Sequence, residues 1–216
     1  LTVSLPPHRI RFSRRARRIS LRVSPGKGLE VVLPVDADLS CVPLVLARHS
    51  RWIEKHLGRM PEAGSVAFPQ HIILNGGCEV VRVDALALPG TSRKTPWQQL
   101  RQWTREQARS RLGPLLEQLA QEHGFSFAAL RVRFQKSRWG SCSSKGGINL
   151  NACLIFLPEE LIRYIILHEL CHTRQMNHST GFWKLMLALD PDARTKDKAM
   201  REAWKYVPDW VYVREE

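Results

Sequence analysis

Apolar and polar positions alternate with a period of two at the start of the chain. Residues 8 to 35 contain RIRF, ISLRV and LEVVLPV, broken at Pro25-Gly26 and Gly28, and this predicts short strands with hairpin punctuation. The period then lengthens. Val42, Leu46, Ile53 and Leu57, with Trp52, recur at near-helical spacing as far as Gly58 and Pro61, with Asp38 or Ser40 as the cap. Strand character returns in HIILNGG and EVVRVDAL around a Gly76-Gly77 turn, and Pro89-Gly90 opens a polar stretch that runs to Pro96. That stretch predicts a boundary, with a β-rich part carrying one helix over residues 1–92 and a second domain over 93–216.

The second domain begins with a predicted amphipathic helix from Trp97 to His123, carrying Leu100, Trp103, Ala108, Leu112, Leu115, Leu116 and Leu119 and stopping at Gly124. A strand pair follows, with LRVRF, a Gly-Ser-rich turn at SCSSKGG, and INLN as the returning strand. Pro158 at the first helical position, with Glu159 and Glu160 suited to the positive end of the helix dipole, starts the next helix. Strands and helices fall in separate runs, so the expected class is α+β. No fixed-period repeat and no low-complexity tract interrupts the pattern.

Composition narrows the picture in three ways. The five cysteines are Cys41, Cys78, Cys142, Cys153 and Cys171, an odd number with no CxxC pair, which argues against a disulfide framework or a cysteine zinc ribbon and for a reducing compartment. No run approaches the roughly 20 apolar residues needed to span a bilayer, and LTVSLPPHRIRF has no apolar core of signal-peptide length, so a cytoplasmic protein with no membrane partner is expected. The net charge of +13 suits a polyanionic partner. Its densest run is Arg9, Arg11, Arg14, Arg15, Arg17, Arg18 and Arg22, interleaved with apolar residues; a solvated hairpin face accounts for it equally well.

The chemistry lies in His168-Glu169-Leu170-Cys171-His172. Four helical steps leave the two histidines about 40° apart around the axis and one turn apart along it, so both imidazoles reach one tetrahedral ion. Glu169, about 100° from His168, stands beside a water on that ion without being a ligand, the general-base place of a zinc peptidase. His178 is the candidate third ligand. A straight helix would carry it about 9 Å too far along the axis, so the helix must break between Thr173 and Asn177, with Asn177 in the left-handed conformation. Three histidines on one Zn2+ leave a position open for water, which marks a catalytic site. Leu161, Tyr164, Ile165 and Leu167 supply the apolar face that buries the helix. Any one of the three histidines alone reads as an ordinary surface or core imidazole; it is the set that points to a metal.

The sequence resembles the YgjP-like metallopeptidase domain family, and more distantly the SprT-like and WLM-type zincins. The likeness rests on Arg138-Trp139-Gly140-Ser141-Cys142-Ser143, Ile148-Asn149-Leu150-Asn151, the His168–His172 motif, and Asn177-His178-Ser179 followed by Phe182-Trp183. The Arg-rich opening, Trp52-Ile53 and Leu74-Asn75-Gly76 extend it over nearly the whole chain. The resemblance implies one zinc at His168, His172 and His178, a catalytic Glu169, and a small zincin-like helix and sheet domain behind the β-rich N-terminal part. Cys171 stands where small residues such as Ala are common. The ligand spacing equals that of the metzincins, but Gln175 occupies the place of their turn glycine.

Two readings of function follow. The first is a peptidase acting on protein or peptide, with Trp139, Gly140, Ser141 and Asn149 as candidates for pairing with an extended substrate; packing explains the same residues equally well. Cys142 could latch the open metal position as a thiolate, although a small buried cysteine is the commoner outcome. The second reading is a module that binds DNA or RNA through Arg14, Arg15, Arg17 and Arg18, with the zinc fold as scaffold. The two can coexist, and the SprT-like and WLM-type likeness suggests a peptidase acting near nucleic acid by analogy alone.

Overall fold

The computed structural model describes residues 6–24, 28–57, 66–86 and 94–213, in two compact units. Pro25-Gly26, Gly58, Pro61 and Pro89-Gly90, which the sequence pattern marks as breaks, lie outside the described residues.

The first unit comprises residues 1–68 with 209–216. Its strands are β1 (His8–Phe12), β2 (Ser20–Ser24) and β3 (Gly28–Leu33), with β3 in the centre. β2 pairs with β3 antiparallel as a hairpin, whereas β1 pairs with the far edge of β3 in parallel. Alternation sends Leu29, Val31 and Leu33 to one face, where they bury with Val42, Leu46 and Ile53. The helical stretch is divided. Asp38 caps a 3-10 turn by accepting from the Ser40 amide at 2.9 Å, and α1 (Val42–Arg48) then ends at His49 before α2 (Ser50–Leu57).

The second unit, residues 69–208, carries the histidine motif. β4 (His71–Leu74) and β5 (Glu79–Arg82) form an antiparallel hairpin whose turn has Asn75, Gly76 and Gly77 at positive φ. A side chain at Gly76 would come within 2.6 Å of the Pro158 ring, so both backbone conformation and space demand glycine there. Thr95 caps α3 (Pro96–Glu122) by accepting from the Gln98 amide, and Gly124 at φ +66 ends it. Leu100, Ala108, Leu112, Leu116 and Leu119 form the buried stripe of this helix, as their spacing predicts.

Next come β6 (Ala129–Arg133), β7 (Gly140–Cys142) and β8 (Gly147–Asn151), in the order β6-β8-β7. Here the pattern misleads. LRVRF and INLN do pair, but in parallel, and the strand antiparallel to INLN is Gly140–Cys142, whose last two residues lie in the segment expected to be turn. Three residues without a β-branched side chain give no strand signal; the register comes from the backbone ladder and from Asn151. Fully buried, the Asn151 side chain donates to the carbonyls of Gln135 and Arg138, both at 2.9 Å, and accepts from the Cys153 amide at 3.1 Å. A satisfied amide in that place fastens the loop before β7 to the end of β8.

After β8 a 3-10 segment, Ala152–Phe156, leads to α4 (Glu159–Cys171). Pro158 is the residue before the helix, at φ −54 and ψ 145, rather than its first residue. α5 (Thr180–Leu189) and α6 (Ala193–Met200) complete the unit, followed by a 3-10 turn at Ala203–Tyr206. Among the described residues, no helix is long and apolar enough to cross a membrane.

Candidate metal centre

α4 carries His168 and Glu169 in its last turn, and His172 is its C-cap. Leu161, Tyr164, Ile165 and Leu167 are buried as expected, which fixes the rotation of the helix and turns the two histidines to one side. The chain then reverses without the left-handed residue that the sequence pattern calls for. Asn177 has no positive φ; instead the Thr173 amide donates to Leu170 and the Arg174 and Gln175 amides to Cys171, tight turns that unwind the helix end. Arg174 stacks on Phe125 at 4.2 Å and donates to the Gly124 carbonyl at 2.6 Å, tying the reversal to the end of α3. The next helix begins immediately, with Ser179 as the cap of α5, and His178 directly precedes that cap.

These turns bring the three imidazoles together. His172 Nε2 lies 3.1 Å and His178 Nε2 2.9 Å from His168 Nε2, and the three ligand atoms are all within 4.8 Å of one another. Phe182, one turn into α5 and wholly buried, has its ring centroid 4.7 to 4.9 Å from all three imidazole centroids. This floor appears in the sequence only as the Phe182-Trp183 pair, with nothing to show that it packs on the histidines. On the outer side, Trp183 lies by His178 at 6.4 Å and carries Arg194 over its ring at 3.6 Å.

The donor set suits a cation. His172 Nδ1 is 2.9 Å from the Gln175 carbonyl oxygen, which can only accept, so Nδ1 holds the ring proton and Nε2 presents its lone pair. Burial and the neighbouring histidines push the His168 imidazole down to about 3, so it is neutral. Burial likewise lowers His172. Imidazoles crowded at this spacing are metal-ligand chemistry.

Glu169, next to His168 on α4, is 4% exposed, and among the described residues its Oε2 has no hydrogen-bond partner. Burial pushes this carboxyl up to about 8, with Arg138 pulling the other way. A buried carboxylate oxygen left without a partner needs a cation or a water to satisfy it. Gly140 on β7 makes room for it: a Cβ there would stand 2.5 Å from Glu169 Oε1 and 2.7 Å from its Cγ. That steric role is a reason for the glycine which sequence alone does not supply.

Of the other candidates, Trp139 is 7% exposed and stacks on Trp204 with centroids 4.0 Å apart. Ser141 and Asn149 face each other across β7 and β8, with the Asn149 amide donating to Ser141 Oγ at 3.4 Å. β7 is an edge of its sheet among the described residues. Cys142 donates to the Ser143 carbonyl at 3.4 Å, and burial, with the charge of Glu169, raises its pKa, so the thiol keeps its proton. Cys142 does not join the three histidines in the group of ligand atoms within 4.8 Å of one another, so the geometry gives a thiolate latch no support. Arg14, Arg15, Arg17 and Arg18 lie in the first unit, exposed, on the segment between β1 and β2.

Comparison with known proteins agrees with this chemistry. Residues 80–203, more than half the chain, match the YgjP-like, metallopeptidase domain family model. Two solved structures are similar to part of the chain. The metallopeptidase zymogen of Pyrococcus abyssi abylysin is 30% identical over 42% of this chain and 93% of its own, with a TM-score of 0.38. The metallopeptidase zymogen of Methanocaldococcus jannaschii jannalysin is 19% identical over 42% of this chain and 94% of its own, with a TM-score of 0.38. No curated protein matches the chain.

Two predictions follow from the packing around Glu169. Gly140→Ala is expected to cost about 1–3 kcal/mol in thermal or denaturant unfolding, and most of that cost should vanish in a Glu169→Ala background, because the clash is between those two residues. The second concerns pH in chelator-treated protein. Glu169 holds its proton up to about 8 when folded against 4.5 unfolded, so its contribution to stability is complete below pH 4.5 and lost as pH climbs toward 8. His168 acts in the opposite sense, its contribution complete above 6.5 and lost as pH falls toward 3. Glu169→Gln should therefore flatten the decline in stability between pH 6.5 and 8, measured by urea unfolding.

Proposed function

The chain belongs to the YgjP-like metallopeptidase domain family, and on that premise we propose a zinc-dependent peptidase in which His168, His172 and His178 hold one ion and Glu169 is the general base. The observation that carries the reading is the convergence of three imidazole nitrogens next to a buried carboxylate with an unpartnered oxygen. Zinc held there by the three histidines would lower the pKa of water toward 7 and polarise a carbonyl as a Lewis acid. Glu169 accepts the proton from the attacking water at its carboxylate and delivers it to the departing amine. In the metal-free protein its buried setting favours the protonated form, so a cation held by the three histidines would be what keeps this carboxylate ionised and ready to take the proton.

The substrate is protein or peptide, and β7 receives it as an added strand. Support comes from the position of that strand: it is an edge among the described residues, and Gly140 on it abuts Glu169. Gly140 and Ser141 would contribute backbone groups, and Asn149 braces Ser141 from β8. Trp139, buried against Trp204, holds the strand in place instead of touching the peptide. All five cysteines are free of disulfides, which suits a cytoplasmic setting.

Glu169→Gln should retain zinc and lose about 10²–10⁴-fold in hydrolysis of a denatured protein; full activity in that variant would remove the general base. His178→Ala should lose zinc and activity together, as read by metal analysis of the purified protein.

A second reading concerns Arg14, Arg15, Arg17 and Arg18, four exposed cations within five residues, which suit phosphate. If they hold duplex DNA or RNA, affinity falls steeply with added salt, and each arginine replaced by alanine reduces the slope of log K against log salt by about 1. Binding that is insensitive to salt would contradict it.

A further inference from the structure

We propose that Tyr164 and Asp197 are positioning residues that order the ring proton of His168, keeping it on Nδ1 so that Nε2 faces the metal position as a bare donor. The inference rests on the reading of His168 as a metal ligand.

Tyr164 stands one helical turn before His168 on α4, so the two side chains share a face. It is 1% exposed, and no substrate can reach its ring. Its hydroxyl oxygen lies 3.4 Å from His168 Nδ1 and 3.1 Å from Asp197 Oδ1 on α6. A phenol has one proton to donate. The hydroxyl donates it to Asp197 Oδ1, and the phenol oxygen is left with lone pairs alone. Toward an oxygen in that state, Nδ1 of His168 can only donate. The direction of the first hydrogen bond thereby sets the direction of the second, and the second fixes the tautomer. Burial and the charge of Asp197 raise the pKa of the Tyr164 phenol, so its proton stays available for this use.

His172 reaches the same state by a simpler route, through the Gln175 carbonyl at 2.9 Å. His168 has no carbonyl at its Nδ1, because it sits inside the helix, where backbone oxygens are engaged along the axis. The Tyr164 and Asp197 pair supplies from side chains what a turn supplies to His172. Arg201 faces the outer side of Asp197 at 3.8 Å, which leaves Oδ1 to the tyrosine.

The test uses the full chain. In chelator-treated, ¹⁵N-labelled protein, long-range proton–nitrogen spectra should show the His168 proton on Nδ1. Tyr164→Phe removes the acceptor and should move population to Nε2–H. Asp197→Ala frees the phenol proton to turn toward Nδ1 and should do the same, whereas Asp197→Asn, whose side-chain carbonyl still accepts, should restore the native tautomer. Zinc affinity by chelator competition should drop about 10–100-fold in the first two variants and recover in the third. Unchanged tautomer and unchanged zinc affinity in Tyr164→Phe would overturn the proposal, and that variant decides the matter alone if Asp197→Ala does not fold. Failure of the underlying reading looks different: the unmutated chain itself would take up no zinc, while the tautomer spectra would still show whether the ordering exists.

Discussion

Three imidazoles cannot be gathered so that two of them stand within hydrogen-bond distance of the third at no cost, and the second unit of this protein is arranged to hold them so. The apolar face of α4 fixes the rotation of His168 and His172, tight turns after Cys171 bring His178 back, and Phe182 underlies all three rings. His172 is held through its far nitrogen with its lone pair turned inward. Nitrogen lone pairs gathered in this way repel unless a cation or a proton lies between them, so the packing of the whole unit is coupled to the occupancy of one small volume.

The same logic places Glu169. A buried carboxyl with an oxygen that finds no partner among the described residues is a local defect by any folding criterion, and proteins keep such defects where chemistry uses them. β7 is fitted to that defect. Asn151 secures the loop in front of the strand, Trp139 anchors its first end against Trp204, and Gly140 gives the space that the carboxylate fills. In the proposed reaction an edge strand held against Glu169 is also the place where an extended peptide would meet it, so one short segment would serve both the carboxyl group and the substrate.

Much of this was legible in the residues, and the boundary of legibility is physical. His168, Glu169 and His172 lie on one helix, where a period of 3.6 residues turns spacing into geometry. His178 could be inferred only as a requirement: the sequence shows that the helix must end, but not how, and the reversal uses tight turns in place of a left-handed Asn177. Among the described residues, the left-handed non-glycine one is Asn75, in the β4–β5 turn. β7 left no signal because three residues carry no period, and its pairing is decided by β8 and Asn151. Asp197 lies 33 residues from Tyr164, on another helix, and nothing local could have joined them. The family resemblance brought Gly140 and Phe182 to notice; their steric work emerged only from packing.

The account is most directly tested by zinc K-edge X-ray absorption on the purified, zinc-loaded chain. It predicts three imidazole nitrogens at about 2.0–2.1 Å, completed by oxygen, with no sulfur in the coordination sphere. A sulfur scatterer at about 2.3 Å, or a sphere with fewer than three imidazoles, would contradict it.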